Sequence, residues 1–287
     1  EANPKIEQFW LSYLDALIKQ KQFGNAKQVL DQAKKQGVDG DRLNSLDAQI
    51  SPKSQKPNTA SGSPRQELLN TLLEQYQNGR LSDAEKLAVQ ITQDFPEHQF
   101  AWKVLGAILV ATGRKSEAVD ANQTAVALSP QDAAAHSNLG NTLKELGRFD
   151  EAEASCNQAI TLKPDYAEAH SNLGNTLKEL GRFDEAEASY NQAITLKPDL
   201  AQAHYNLGVT LVELEKLGEA EASYNQAIAL KPDYAEAHYN LGNTLKELGR
   251  LDEAEASYTQ AITLKPDYAE AHYNLGNTLK ELGRLDE

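Results

Sequence analysis

The sequence repeats itself with a period of 34 residues, and this feature constrains the fold more than any other. One unit, 167–200, matches its predecessor at all but three of 34 positions, and the period continues towards both ends of the array. There are six full units and a partial one, at 65–98, 99–132, 133–166, 167–200, 201–234, 235–268 and 269–287. Units of this length bury their apolar faces against neighbouring copies, so the sequence predicts a solenoid.

Each unit encodes two amphipathic helices. Apolar residues recur at helical spacing on both sides of a glycine, Gly181 in unit 167–200, which tolerates the positive φ that ends a helix. A proline then stops the second helix. We expect Asp199 to cap the next helix, and Asp165 to form a capping box with Glu168. The pattern therefore predicts an all-α fold of stacked helical hairpins.

The N-terminal part of the chain is less regular. Residues 1–50 fit the period loosely, with Leu14 and Lys21 in place of the two glycines, and predict a helical hairpin followed by a short helix over 41–50. Residues 51–64 are rich in Ser and Pro and have no apolar period, so they predict a flexible linker. The predicted organisation is a small helical module tethered to the array at 65–287.

The charge of the chain excludes several kinds of partner. It carries 28 Lys and Arg against 42 Asp and Glu, a formal charge of -14, of which -13 falls in residues 133–287. Such a chain repels phosphate, so we expect no nucleic acid and no anionic membrane as partner. The longest apolar run, 104–111, is too short to span a membrane. Because no methionine occurs, even at residue 1, we expect a processed or excised piece, and we assign the cytoplasm by default.

No residue pattern indicates catalysis or a metal site. Cys156 stands where later units carry tyrosine, so we interpret it as a small apolar residue in that position, and a single cysteine cannot build a cysteine-based zinc site. A histidine recurs once per unit, too far from its equivalents to share an ion, and we expect these side chains to be packed and hydrogen bonded. They are His136, His170, His204, His238 and His272. We therefore predict no enzyme activity, cofactor or metal within this chain.

The polar arc of the first helices carries two rows of asparagine, opposite the leucines and away from the packing arc. The first row is Asn138, Asn172, Asn206, Asn240 and Asn274, and the second row is Asn141, Asn175, Asn243 and Asn277, interrupted by Val209. The later units add Tyr205, Tyr239 and Tyr273 where earlier ones carry serine. An amide both donates and accepts hydrogen bonds, whereas a face built for stability alone would favour Glu, Lys, Gln or Ala. The rows either bind a ligand or were copied by duplication without a function.

The motifs His-x-Asn-Leu-Gly, Leu-Gly-Arg, Glu-Ala, Ala-Ile and Lys-Pro-Asp at a period of 34 resemble the tetratricopeptide repeat (TPR) over residues 65–287. Asn-Leu-Gly-Asn, with histidine where many TPRs carry tryptophan, is most similar to the repeats of O-linked N-acetylglucosamine transferases and bacterial relatives. The resemblance implies a right-handed solenoid whose first helices line a concave groove. It also implies that asparagines in the groove hold the backbone of an extended peptide, here the first row with its neighbouring tyrosines.

These observations favour a protein–protein interaction scaffold that binds an extended polypeptide in the concave groove. Two alternatives stay open. The array could be the substrate-recruiting arm of a glycosyl- or sulfotransferase whose catalytic domain lies beyond Glu287, or a self-assembling structural solenoid. Self-association is expected through the array ends, because Leu275, Leu279 and Leu282 lack a hairpin partner, or through the N-terminal module, whose apolar surface is large for its size.

Overall fold

The computed structural model describes residues 64–284, the helix Phe23–Lys35 and a few further N-terminal residues. Those further residues are Trp10, Leu11, Tyr13, Leu14, Leu17, Val38, Leu43 and Leu46. The described residues form 14 helices and no strand, which confirms the all-α prediction. The chain divides into two compact units, Glu1–Ser63 and Pro64–Glu287.

The first unit contains helix α1, Phe23–Lys35, and an apolar cluster. The buried members of the cluster are Leu14, Leu17, Ala26, Leu30, Ala33, Val38, Leu43 and Leu46. Leu43 and Leu46 are helical and buried, within the segment for which the sequence predicts a short helix. Most of the predicted linker, residues 51–63, lies outside the described residues.

Residues 64–284 form a stack of six helical hairpins followed by one further helix. The first helices of successive repeats are α2 (Gln66–Gln77), α4 (Gln99–Ala111), α6 (Ala133–Glu145), α8 (Ala167–Glu179), α10 (Ala201–Glu213), α12 (Ala235–Glu247) and α14 (Ala269–Glu281). The second helices are α3 (Leu81–Asp94), α5 (Lys115–Leu128), α7 (Phe149–Leu162), α9 (Phe183–Leu196), α11 (Leu217–Leu230) and α13 (Leu251–Leu264). First helices of neighbouring repeats contact each other, as the solenoid prediction requires.

The turn between the two helices of a repeat needs a residue with a positive φ. Glycine occupies this position in most repeats, for example Gly181 with a φ of 72°. Repeat 201–234 carries Glu215 there with a φ of 59°, a left-handed conformation that costs free energy in a residue with a Cβ. One repeat therefore makes the same turn under strain.

The core of a hairpin depends on a glycine of the first helix and a large side chain of the second. A Cβ on Gly174 would lie 2.7 Å from the ring of Tyr190, which is fully buried, so the ring can pack here only against glycine. Tyr224 and Tyr258 fill the equivalent position in later repeats. Cys156 fills it in repeat 133–166 and is fully buried, and burial raises the pKa of its thiol to about 12. It is therefore an inert small residue in the tyrosine position, as predicted.

The capping of the first helices differs from the prediction. Among the helices of residues 64–284, a side-chain cap is found at Asp132, whose carboxylate accepts hydrogen bonds from the backbone N–H groups of Ala134 and Ala135 at 2.8 and 3.2 Å. Later repeats carry tyrosine or leucine at this position and have no side-chain cap. Helices α8 and α10 begin one residue later than the predicted caps at Asp165 and Asp199 require, so the predicted capping box is wrong.

The recurring histidines tie each first helix to the loop before it. Their Nε2 atoms lie 2.9 to 3.1 Å from the carbonyl oxygen of the proline six residues earlier. Four of them are half-buried and His272 is exposed, so they are hydrogen bonded as predicted but less packed. In the described residues, no three His, Cys, Asp or Glu side chains are grouped to hold a metal ion. No described helix is long and apolar enough to cross a membrane.

Candidate functional site

The predicted site residues lie together along one face of the first helices α6, α8, α10, α12 and α14. Both asparagine rows are half-buried along their whole length, as are Tyr205 and Tyr239, whereas Tyr273 is 72% exposed. Because neighbouring first helices touch, equivalent side chains of consecutive repeats form one continuous polar surface, which we call the ladder face. The residues that the sequence places on one arc are therefore brought together in the fold.

Four of the five asparagines of the first row donate hydrogen bonds to the preceding repeat. The donors Nδ2 and their acceptors are Asn172 to Ser137 Oγ (2.9 Å), Asn206 to Asn175 Oδ1 (2.7 Å), Asn240 to Tyr205 Oη (3.0 Å), and Asn274 to Tyr239 Oη (3.1 Å) and Asn243 Oδ1 (2.9 Å). Each amide thus links two adjacent first helices. The expectation that these side chains lie away from packing contacts is wrong, because they also hold the stack together.

The second row receives hydrogen bonds from the buried tyrosines. Tyr190 donates its hydroxyl to Asn175 Oδ1, and Tyr258 donates to Asn243 Oδ1, both at 2.8 Å. Asn175 is therefore a partner both for a core side chain of its own repeat and for Asn206 of the next. In repeat 201–234, valine replaces this asparagine, and the core tyrosine has no amide acceptor there.

The first row keeps acceptor capacity for a ligand. Asn172, Asn240 and Asn274 contact the preceding repeat through Nδ2. Within residues 64–284, their Oδ1 atoms accept no hydrogen bond. Asn206 is different, since its Oδ1 accepts a hydrogen bond from Gln202 at 3.1 Å. The ladder face therefore presents a carbonyl oxygen in most repeats, which suits a backbone N–H of an extended chain.

Tyrosines add donors in the later repeats. The Tyr205 ring lies 4.8 Å from that of Tyr234, and the Tyr239 ring lies 4.9 Å from that of Tyr268. Burial raises the pKa of Tyr205, so its hydroxyl stays protonated near neutral pH. This hydroxyl accepts a hydrogen bond from Asn240 and retains its own proton to donate. Hydroxyl and amide oxygen together can pair with the C=O and N–H of a peptide.

The sequence analysis did not foresee two members of this network, Ser137 and Gln202. Gln202 bonds Asn206 within its own helix and accepts a hydrogen bond from Tyr234 of the same repeat. The hydrogen bonds that the first-row asparagines donate to the preceding repeat join residues 31 or 35 apart, which is the repeat length displaced by a few residues along the helix. Comparison of residues exactly one period apart does not reveal these pairs.

Solved structures of other proteins match the fold over most of the array. The crystal structure described as the APC/C hetero-tetramer Cut9–Hcn1 matches with a TM-score of 0.69 and 17% identity over 94% of this chain and 55% of that one. TTC0263, described as a thermophilic TPR protein of Thermus thermophilus, matches with a TM-score of 0.54 and 26% identity, covering 63% and 99%. YrrB, described as a TPR protein with an unusual peptide-binding site, matches with a TM-score of 0.50 and 20% identity, covering 65% and 96%.

Family models identify the repeats themselves, whereas the sequence matches no curated protein. The model described as TPR repeat matches residues 106–147, 210–249 and 242–283, and the model described as tetratricopeptide repeat matches residues 131–199. Together these matches cover more than half of the chain, and they fall on the hairpins that carry the ladder face. The chain belongs to the tetratricopeptide repeat family.

Proposed function

We propose that the chain is a protein-interaction scaffold that binds an extended polypeptide along the ladder face. The observation that carries the proposal is the recurrence of an unpaired amide oxygen on the first helices α8, α12 and α14, at Asn172, Asn240 and Asn274. TPR domains generally mediate protein or peptide binding, and YrrB is described as having a peptide-binding site. At 20% identity, the likeness to YrrB shows a shared fold and does not transfer its site.

The spacing of the ladder face suits an extended chain. Packed helices lie about 8 to 10 Å apart, and an extended chain rises about 3.2 to 3.4 Å per residue. A ligand would therefore advance by about three residues per repeat. Five repeats would contact a segment of roughly 15 residues, which is long enough to bind through many weak contacts.

Affinity in such a site is shared among repeats. A hydrogen bond contributes about 0.5 to 1.5 kcal/mol net, so the loss of one asparagine has a small effect and the loss of several has a large one. Backbone recognition also implies tolerance of ligand sequence, because each repeat offers the same polar atoms. Selectivity for ligand side chains can then arise where a repeat differs from the others, as repeat 201–234 does at Tyr205 and Val209.

The test uses a random library of peptides of about 15 residues, the length that five repeats would contact. Peptides are selected on the full chain, and their affinities are measured by fluorescence anisotropy. The triple variant N172A/N206A/N240A should weaken binding at least about tenfold, equivalent to roughly 1.4 kcal/mol. The matched control N157A/N191A/N225A removes three exposed asparagines with the same 34-residue spacing from the second helices, and it should leave affinity unchanged.

The stability of the variants must be followed in the same experiment. Each asparagine of the first triple also donates to the preceding repeat, so we expect each substitution to cost about 1 kcal/mol of stability. Binding is therefore measured well below the melting transition, with helicity checked by circular dichroism. Selection of no peptides, or equal affinities for the two triple variants, would contradict the proposed function.

A further inference from the structure

Differences among the five copies of the first helix are confined to one stripe. Helices α6, α8, α10, α12 and α14 are identical except at their second, fifth, ninth and twelfth positions. At about 100° per residue these four positions span an arc of about 80°. They are half-buried or exposed in all copies, apart from Ser137. The variable stripe therefore lies within the ladder face.

The second helices do not show this restriction. Helices α7, α9, α11 and α13 differ at five of 14 positions, and these include both packed and exposed sites. The buried cysteine-or-tyrosine position is one, whereas Gly218 and Ala229 are exposed examples. Unselected drift would scatter differences over the first helix in the same way. In the first helices the differences are confined to one stripe, which indicates that the repeats have diverged in the surface that they present on the ladder face.

Helix α10 has diverged most. Gln202, Val209 and Val212 stand where α8 and α12 both carry Glu, Asn and Lys. Together with Tyr205, the two valines form an apolar patch, with spacings of four and three residues on one side of the helix. The patch is half-buried and packs on the edge of the tyrosine core, so its outer atoms remain accessible. It gives the ladder face one apolar contact point between polar repeats.

Glutamates of α10 and α12 lack the ion pairs that the glutamates of α6 and α8 make. On α6 and α8, each glutamate is paired with a lysine: Glu145 with Lys115 and Lys144, Glu168 with Lys197, and Glu179 with Lys178. On α10 and α12, three glutamates have no ion pair within residues 64–284. They are Glu213, Glu236 and Glu247. The later part of the ladder face is therefore complementary to a positively charged ligand.

Two differences leave Glu213 and Glu236 without a lysine partner. Val212 replaces the lysine that α8 carries beside its terminal glutamate. Lys265, the equivalent of the lysine that pairs with Glu168, lies over the ring of Tyr268 at 4.5 Å. Glu236 consequently keeps a free carboxylate near the tyrosines, where it acts on Tyr205 and Tyr268 through its charge.

We propose that α10 and α12 select a basic peptide that carries one apolar side chain. The apolar side chain contacts the patch of Tyr205, Val209 and Val212, and Lys or Arg residues of the peptide lie beside Glu213 and Glu236. This inference rests on the proposed function, because it names the class of peptide that the ladder face binds.

The experiment compares variants that exchange residues between copies, so that each new side chain already occurs at that position elsewhere in the array. V209N/V212K restores the polar pattern of α8 and α12. G218D/A229T restores two exposed residues of α11 in the same repeat and serves as the matched control. E236Q places in α12 the glutamine that α10 carries at the same position, and it tests charge alone. Circular dichroism melting checks the fold of each variant.

We expect peptides selected on the full wild-type chain to be enriched in Lys and Arg, depleted in Asp and Glu, and to share one apolar residue. Their affinity should fall at least about tenfold in V209N/V212K and remain unchanged in G218D/A229T. In E236Q affinity should fall at least about twofold, and its dependence on salt concentration should weaken, because one fewer charge remains to be screened.

The outcomes separate this inference from the proposed function. Peptides that lose affinity in the asparagine triple variant but bind V209N/V212K as well as wild type would overturn the inference and leave peptide binding intact. Selected peptides without basic or apolar bias would have the same meaning. Failure to select any peptide would overturn both, because no ligand would then bind the ladder face.

Discussion

Replacing Tyr190 by phenylalanine should lower the stability of the array by about 1 kcal/mol. The ring of Tyr190 is fully buried against Gly174, and phenylalanine preserves that packing. The substitution removes the hydroxyl, which donates a hydrogen bond to Asn175 Oδ1 at 2.8 Å. Tyr258→Phe should have the same effect, because its hydroxyl donates to Asn243 in the same way.

The expected loss of stability depends on which hydrogen bonds the remaining groups keep. A buried hydrogen bond contributes about 0.5 to 1.5 kcal/mol net, and more is lost when the remaining partner is left unsatisfied. The remaining partner here is Asn175 Oδ1, which still accepts a hydrogen bond from Asn206 at 2.7 Å. The cost should therefore stay near the middle of the range and not approach the penalty for an orphaned buried group.

Tyr224→Phe is the matched control within the same array. Tyr224 occupies the same position and packs against Gly208 as Tyr190 packs against Gly174. Its repeat carries Val209 in place of the asparagine acceptor, so no amide hydrogen bond is lost. We expect a change in stability below about 0.5 kcal/mol for this variant.

The assay is thermal and urea-induced unfolding of the three variants, followed by circular dichroism. For an array of this size, about 1 kcal/mol corresponds to a fall in Tm of about 2 to 4 °C. Equal losses for Tyr224→Phe and Tyr190→Phe would refute the reasoning, because they would show that the hydroxyl acts independently of the asparagine. No loss in Tyr190→Phe would show that the second row contributes nothing to the core.

Two further predictions concern the backbone and pH. Glu215→Gly should raise the stability of the array by about 0.5 to 1 kcal/mol, because glycine relieves the left-handed strain, although its flexibility in the unfolded chain offsets part of the gain. Gly181→Glu should lower the stability for the same reason. A fall in the Tm of Glu215→Gly would refute this prediction. Burial raises the pKa of Asp132, but hydrogen bonds from Lys103 and Gln99 lower it further, to about 2. The charged carboxylate of Asp132 therefore stabilises the fold above about pH 4, and this stabilisation is lost as the pH falls towards 2. Asp132→Asn should be less stable than wild type at pH 7 and nearly as stable as wild type near pH 2, as measured by urea unfolding.

The fold was predictable because the period dictates it. Glycine at a positive φ, and glycine against a buried tyrosine, recur in register, so a single repeat suffices to predict the hairpin. Capping was predicted wrongly for a local reason. The first helices begin after Tyr166 and its equivalents, so Asp165 lies in the preceding turn, one residue before the N-cap position. Spacing rules for caps do not fix where a helix begins when the preceding loop is itself held by the His170 contact to Pro164.

The composition of the ladder face was also predictable, but its hydrogen bonding was not. The period identifies which side chains recur on one arc. Their partners are displaced by a few residues in the next repeat, as in the pair Asn240 and Tyr205, and this displacement depends on how neighbouring helices are inclined. The period alone does not contain that inclination. Each asparagine side chain consequently has fewer free hydrogen-bonding atoms for a ligand than the sequence suggests.

The division of labour within each amide gives the ladder face its chemical character. Where the first row uses Nδ2 to hold the preceding repeat, the ligand meets Oδ1, and the Ser137 hydroxyl that accepts from Asn172 is buried. Tyr205 and Tyr239 replace serine in the later repeats and are only half-buried, so their hydroxyls can also donate to a ligand. On the proposed function, Asn172 therefore binds an N–H group of the ligand, and the later repeats bind both sides of its peptide units. Stacking and recognition then use the same side chains, and a substitution in the ladder face changes both.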